Sequence, residues 1–379
     1  MTMRIVIAPN AFKNSLDAAG VADAIKTGLE QSNLKCTLQC FPVGDGGDGT
    51  AELLIKHFKG QTISAEVHDP LGRRITSSFG LIEEGRTAVI EMANASGLRL
   101  LQRNELDPLH ATSYGTGELM MEALNKGVNK MILCIGGSAT VDGAVGLLQA
   151  LGFVFLNKNG EALAAVPESL VELESIDVSK ADKRIHQCKI TVICDVESKL
   201  LGAEGAAGVF GPQKGADADG VKKLETSLAK LRDVVFRQTG KDMAQMKHGG
   251  AAGGIAAGLW AFLDVELVNG IDFFLSLTEF EKTLDETDLV ITGEGSIDIQ
   301  TLQGKGPFGV AKKAKEKGIP VIGFAGKIPL EAVGPLNQYF DVLLSINNEP
   351  TELSVALEHT KANLVRTATE AGNLLSLRQ

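Results

Sequence analysis

The chain reads as an α/β protein: both ends build one Rossmann-like parallel sheet domain, and the middle forms a large inserted α/β domain. Three observations lead there. Short apolar runs of β type alternate with amphipathic helical segments over about the first 70 residues, and about the last 95 repeat the alternation. The middle departs from that rhythm and opens on a hairpin pattern. A length of 379 residues suits two domains or one large one, and it buries a sizeable core without disulfides or metals.

Taken in order, Arg4 to Pro9 is a first strand, and a helix follows from Ser15 to Gln31. Cys36 to Val43 is a second strand, Thr50 to Phe58 a helix and Thr62 to Val67 a third strand. At the other end come strand Leu289 to Thr292, helix Pro307 to Lys317, strand Val321 to Ala325, helix Leu330 to Leu336, strand Val342 to Ile346 and a final helix from Glu352 to Leu375. These six strands combine in the order 3-2-1-4-5-6, with a topological switch point between strands one and four. That arrangement places residues 1–67 and 288–379 in the sheet domain and 68–287 in the insertion. The insertion starts with a hairpin, Arg74 to Ile82 and Thr87 to Met92 around Glu83 to Arg86. It continues with strand Lys130 to Ile135, helix Val141 to Leu151, strand Phe153 to Leu156, an irregular stretch over 157–187 and strand Ile190 to Cys194. Val221, Leu224, Leu228, Leu231 and Val235 recur at helical spacing and mark one amphipathic helix.

Composition removes several function classes. Lys and Arg number 37 against 47 Asp and Glu, a net charge of −10 with pI near 5.2. Affinity for a phosphate backbone comes from clustered cations, so nucleic acid is not an expected partner. An anionic small substrate would need a locally positive site. The five cysteines and six histidines show no metal-ligand spacing, which suits reduced thiols in a cytoplasmic protein. The longest uncharged stretches, such as Gly249 to Leu263, fall short of the ~20 residues of a membrane span, so no membrane partner is expected. Glycine, at 43 residues, is well above the ~7% of average usage, and more than half of it sits in a few short loops.

Those loops carry the candidate chemistry. Gly44 to Thr50 reads GDGGDGT between a strand and a helix, with Asp69 downstream, which spells a dinucleotide fingerprint. Asp45 and Asp48 inside the loop would repel a pyrophosphate by roughly 4 kcal/mol per pair at an effective dielectric of 20. Aspartates there suit a substrate hydroxyl, a metal or a general base better. Gly136 to Gly143 reads GGSATVDG after a strand. Its free N–H groups with Ser138 and Thr140 make either an anion site or an N-capped turn. Lys214, in GPQKGA, is either a phosphate-facing charge or a solvated turn residue. Asp195 ends a strand, where a carboxylate faces a ligand or caps a turn. Thr292 to Lys305 gathers Glu294, Asp298 and Lys305 at the expected switch point, and Lys13 follows strand one. No P-loop occurs, so phosphoryl transfer would rest on glycine loops, lysines and a Mg²⁺-binding carboxylate.

In order, APNAFKNS, PVGDGGDGT, DPLGR, ASGL, YGTGEL, GGSATVDG, FGPQKGA, GGAAGG and TGEGSIDIQTLQGKGPFGVA span Ala8 to Gly326. Together they resemble the bacterial type I glycerate kinase family. The family's usual APDSFKGS is altered at Asn10, Ala11 and Asn14, while Lys13, Asp45, Ser138, Thr140 and Asp142 are kept. The resemblance implies a two-domain α/β kinase that phosphorylates D-glycerate with ATP and Mg²⁺. It favours the 2-hydroxyl and leaves the 3-hydroxyl open.

On this reading glycerate sits in an inter-domain cleft. Asp45 orients or deprotonates the hydroxyl, with Lys13 and Asp195 beside it as catalytic groups. Gly46, Gly47, Ser138, Thr140, Lys214, Glu294 and Lys305 bind substrate and phosphate, and Asp298 and Asp195 hold the metal. A homo-oligomer is compatible with it. The rival readings are a non-catalytic sugar-acid sensor and a dinucleotide oxidoreductase.

Overall fold

A computed structural model describes residues 2–330 and 333–377. The chain forms two compact units, Met1–Asp45 with Asn269–Gln379, and Gly46–Val268. Among the described residues there are thirteen strands, numbered here in chain order: β1 Met3–Ile7, β2 Cys36–Cys40, β3 Gln61–His68, β4 Arg74–Ile82, β5 Thr87–Glu91, β6 Lys130–Cys134, β7 Val154–Asn157, β8 Leu173–Asp177, β9 Lys189–Ile193, β10 Val265–Val268, β11 Leu289–Ser296, β12 Val321–Lys327 and β13 Val342–Ser345.

The terminal unit holds a five-stranded, all-parallel sheet in the order β13-β12-β11-β1-β2. From β1 the chain moves outward to β2, and from β11 it moves the opposite way, so the switch point lies between these two neighbours. Ligands of such sheets bind where the strands end at that point. The sheet has five strands rather than the expected six, because β3 pairs antiparallel with β4 from Gln61↔Leu81 to His68↔Arg74. A local hairpin closes with little loop entropy, and Asp69 locks its DPLGR turn. The buried Asp69 carboxylate accepts from the Leu71 and Arg73 amides, both at 2.9 Å, and from Arg73 Nε at 2.5 Å. The unit boundaries therefore fall after Asp45 and Val268 instead of after 67 and 287. At the second boundary Phe280 packs on Phe41 at 4.9 Å between ring centroids, which ties 269–287 to the terminal unit.

Helix Ala18–Gln31 turns Val21, Ile25 and Leu29 toward Ile5, Ile7 and Phe324 of the sheet. Gly28 lets the helix Thr360–Ser376 approach, since a Cβ there would lie 2.3 Å from the Val365 carbonyl oxygen. The last helix is two pieces, Leu353–Glu358 and Thr360–Ser376, rather than one. Of the helix expected over Leu330 to Leu336, residues 331 and 332 lie outside the described residues, and Val333–Leu336 is helical.

The inserted unit holds a six-stranded sheet in the order β10-β9-β6-β5-β4-β3. Its four strands from β10 to β5 run parallel, and the β5-β4-β3 edge is antiparallel. Two elements differ from expectation. The stretch 157–187 contains β8, which pairs with β7 in a separate ribbon and buries Leu173 and Ile176. The short β10 joins the sheet beside β9. The expected amphipathic helix runs Ala218–Thr239 and buries Leu224, Leu228, Leu231 and Val235. Asp217 caps its start by accepting from the Gly220 amide, and Gly240 ends it with φ 72°. No helix among the described residues is long and apolar enough to cross a membrane.

Candidate functional site

In the inserted unit the glycine motifs pack backbone on backbone. A Cβ at Gly136 would lie 2.9 Å from the Gly46 carbonyl oxygen and 3.1 Å from Gly47 Cα. One at Gly253 would lie 2.2 Å from Thr140 O, and one at Gly258 2.0 Å from Gly143 O. Only glycine permits these approaches. Gly46 and Gly47, the GGSATVDG loop and GGAAGG are thus one structure. The GGSAT loop is also stitched to ASGL by Leu98 N→Gly137 O and Ala139 N→Ser96 O, both 2.9 Å.

Helix Thr50–His57 starts in this assembly, and the dinucleotide reading would place a pyrophosphate at that start. Its donors are already engaged: the Ala51 amide donates to Glu91 Oε1 at 2.8 Å, and Gly46 N donates to Thr50 Oγ1 at 3.0 Å. Glu91 is buried, and burial raises its pKa above the usual carboxylate value. Asp69, the candidate ribose ligand, is spent on its own turn. Sequence reasoning missed Glu91; its signal was an acidic residue closing an otherwise apolar strand.

Lys214 is neither phosphate-exposed nor solvated; it is 2% exposed. Its Nζ donates to Ser138 Oγ at 2.8 Å and to Thr140 O at 2.6 Å, so it clamps the GGSAT loop from inside. Burial pulls its pKa down from 10.5 to about 7, and the charge of Asp142 opposes that fall. Asp142 is fully buried and accepts from the Ser113 amide at 2.9 Å, Ser113 Oγ at 2.6 Å, and the Ala144 and Gly146 amides at 3.3 and 3.2 Å. Ser138 and Thr140 are themselves buried at this clamp. Asp195, half-buried after β9, belongs to the same unit.

The terminal unit gathers a second set at the switch point. Asn10 and Lys13 follow β1, Asp45 follows β2, and Glu294, Asp298 and Lys305 lie on or after β11. Asn10 Nδ2 donates to Asp45 Oδ2 at 2.7 Å. Glu294, 8% exposed, accepts from Thr301 Oγ1 at 2.9 Å. Burial raises its pKa from 4.5 to about 7; Lys305 and Lys13 pull it down, and Asp45 pushes it up. Three of the expected residues, Lys13, Asp45 and Lys305, are therefore within electrostatic reach of a fourth, Glu294. Asp298 joins through Thr301, whose amide donates to Asp298 Oδ1 at 3.3 Å, while Gln300 N donates to the same oxygen at 2.9 Å.

The family model described as the glycerate kinase family matches residues 5–376. This chain belongs to the glycerate kinase family. It is 42% identical to a glycerate kinase of Bacillus subtilis over 99% of this chain and 98% of that protein. It is 40% identical to a glycerate 2-kinase of Escherichia coli K12, with the same coverage of both chains. A crystal structure of a candidate glycerate kinase 2 from Salmonella typhimurium LT2 is 41% identical and covers all of both chains with a TM-score of 0.86. Family membership removes the oxidoreductase reading, in line with the occupied helix start behind GDGGDGT.

Among the described residues no three His, Cys, Asp or Glu side chains cluster as a protein-only metal cage. Mg²⁺ bound with nucleotide takes one or two carboxylates and fills the rest with phosphate and water, so single carboxylates such as Asp298 fit that need. Asp298 Oδ2, which accepts from Ser296 Oγ at 3.2 Å, is the less occupied oxygen.

Glu294 predicts a pH effect on stability. With its folded pKa raised from 4.5 to about 7, its contribution is complete below pH 4.5 and is lost as pH rises through 7. Glu294→Gln removes that loss and keeps an acceptor for Thr301. The variant is expected to exceed the parent by about 3 kcal/mol at pH 8 and to come close to it near pH 4.5, read from urea midpoints. Equal midpoints at pH 8 would contradict it.

Proposed function

We propose that the chain transfers the γ-phosphoryl group of ATP to D-glycerate and yields 2-phosphoglycerate. The observation that carries this is the Asp45–Glu294–Lys13–Lys305 cluster at the switch point of a parallel sheet, in a member of this family. The hydroxyl oxygen forms the new bond to phosphorus, its proton passes to Asp45, and ADP leaves with the electron pair of the broken bond. Lys13 and Lys305 offset the charge on the transferred group, and positioning of this kind is most of what phosphoryl transfer requires. A phosphate anion bound beside Glu294 would offset the pull of the two lysines and raise its pKa further, so Glu294 is suited to hold a proton while substrate is present.

In the inserted unit, Gly47, Ser138 and Thr140 are the residues assigned to the anion, Lys214 keeps their loop in shape, and Gly46, whose amide is taken by Thr50 Oγ1, shapes the turn beside them. Magnesium, when bound with the nucleotide, would supply charge neutralisation of the phosphates; Asp298 is the carboxylate of the terminal unit that would hold it. The net negative charge and reduced thiols suit a cytoplasmic enzyme that acts on a small organic acid. The test couples the product to enolase with no mutase present. Immediate formation of phosphoenolpyruvate is the expected result, and a requirement for mutase would reassign the reaction to the 3-hydroxyl.

A further inference from the structure

We propose that Asn10 is the positioning residue for Asp45, holding it by an amide donor that does not titrate. This rests on the role of Asp45 in taking the substrate proton.

The amide of Asn10 has only one usable orientation. Its Oδ1 accepts from the Ala11 amide at 2.8 Å, which leaves Nδ2 facing Asp45 Oδ2 at 2.7 Å. The residue is 8% exposed and is anchored through its own amide to the Gly293 carbonyl at 2.9 Å. Gly306 forms the wall behind it, since a Cβ there would lie 2.8 Å from Nδ2 and 2.9 Å from the Asn10 Cβ. The chain leading to Asp45 is tied to the same segment by Val43 N→Pro9 O at 2.9 Å. Asp45 acts electrostatically on Glu294, as do Lys13 and Lys305. A carboxylate in place of Asn10 would be a third acid beside Asp45 and Glu294. Two carboxylates at hydrogen-bond distance keep the contact only by sharing a proton. The amide gives Asp45 the same bond at every pH and adds no charge.

The test is a double-mutant cycle with a pH series. Asn10→Ala is expected to lower kcat about tenfold or more with KM for both substrates nearly unchanged, and to cost little further in an Asp45→Asn background. Asn10→Asp has the parent's size and keeps the variant foldable. Its kcat relative to the parent is expected to fall about tenfold from pH 6 to pH 9, as the shared proton is lost. A parental kcat for Asn10→Ala, an equal penalty in both backgrounds, or a flat Asn10→Asp ratio would overturn the inference. A parental kcat for Asp45→Asn alone overturns instead the assignment of Asp45, so the two failures are distinct.

Discussion

Asp45→Asn is expected to cut kcat by well over tenfold while the fold and both KM values stay close to those of the parent. Asparagine matches aspartate in shape, and its carbonyl still accepts the 2.7 Å bond from Asn10. What it lacks is the ability to take a proton at neutral pH. General bases typically contribute about 10²–10⁴-fold, so the loss should be large and confined to the chemical step. The measurement is steady-state turnover with a urea melt as the folding control. Near-parental turnover would remove Asp45 from proton transfer and leave it a binding or structural group.

The second large effect is expected at Lys214. Its amine meets two acceptors inside the protein, yet its folded pKa is pulled from 10.5 to about 7 by burial. The unfolded chain therefore holds a proton between those values that the folded chain releases, and stability rises with pH across that window. Lys214→Met abolishes the dependence. Between pH 6 and pH 9 the stability difference should move by about 2–3 kcal/mol in favour of the parent. At the higher pH the variant is left with the Ser138 hydroxyl and the Thr140 carbonyl unpaired. Loss of the clamp should also lower kcat/KM by about tenfold or more, as expected when a positioned loop shifts. A difference that stays constant across this range would show that the burial of Lys214 is not what sets its proton affinity.

Much of the terminal sheet was legible because parallel strands between amphipathic helices leave a strong local pattern. The location of the loop residues at strand ends followed from the same pattern. The sheet that receives β3 was not legible, since a strand's alternation is the same whichever partner it takes, and only the Asp69 turn decides it. β8 and β10 are short and interrupted by Glu174, Asp177 and Glu266, which weakens the period. Lys214 is a lysine between glycines whether it faces water or a core, and its two acceptors are 76 and 74 residues away. The Asn10–Asp45 bond spans 35 residues, and the Glu91 cap reaches a helix 40 residues earlier. Pairings of that range are made by folding, and no local spacing announces them.

The contacts of Gly136 on Gly46 and Gly47, and of Gly253 and Gly258 on the GGSATVDG backbone, carry one more consequence. Where main chain rests directly on main chain, there are no rotamers left to rearrange. The amides of these loops are aimed when the chain folds, and their ordering entropy is spent then rather than at each encounter with a ligand. Such a surface is hard to retune by point substitution. A change of preferred acid in this scaffold should therefore arise from the few side chains that reach past the backbone, and seldom from the glycines themselves.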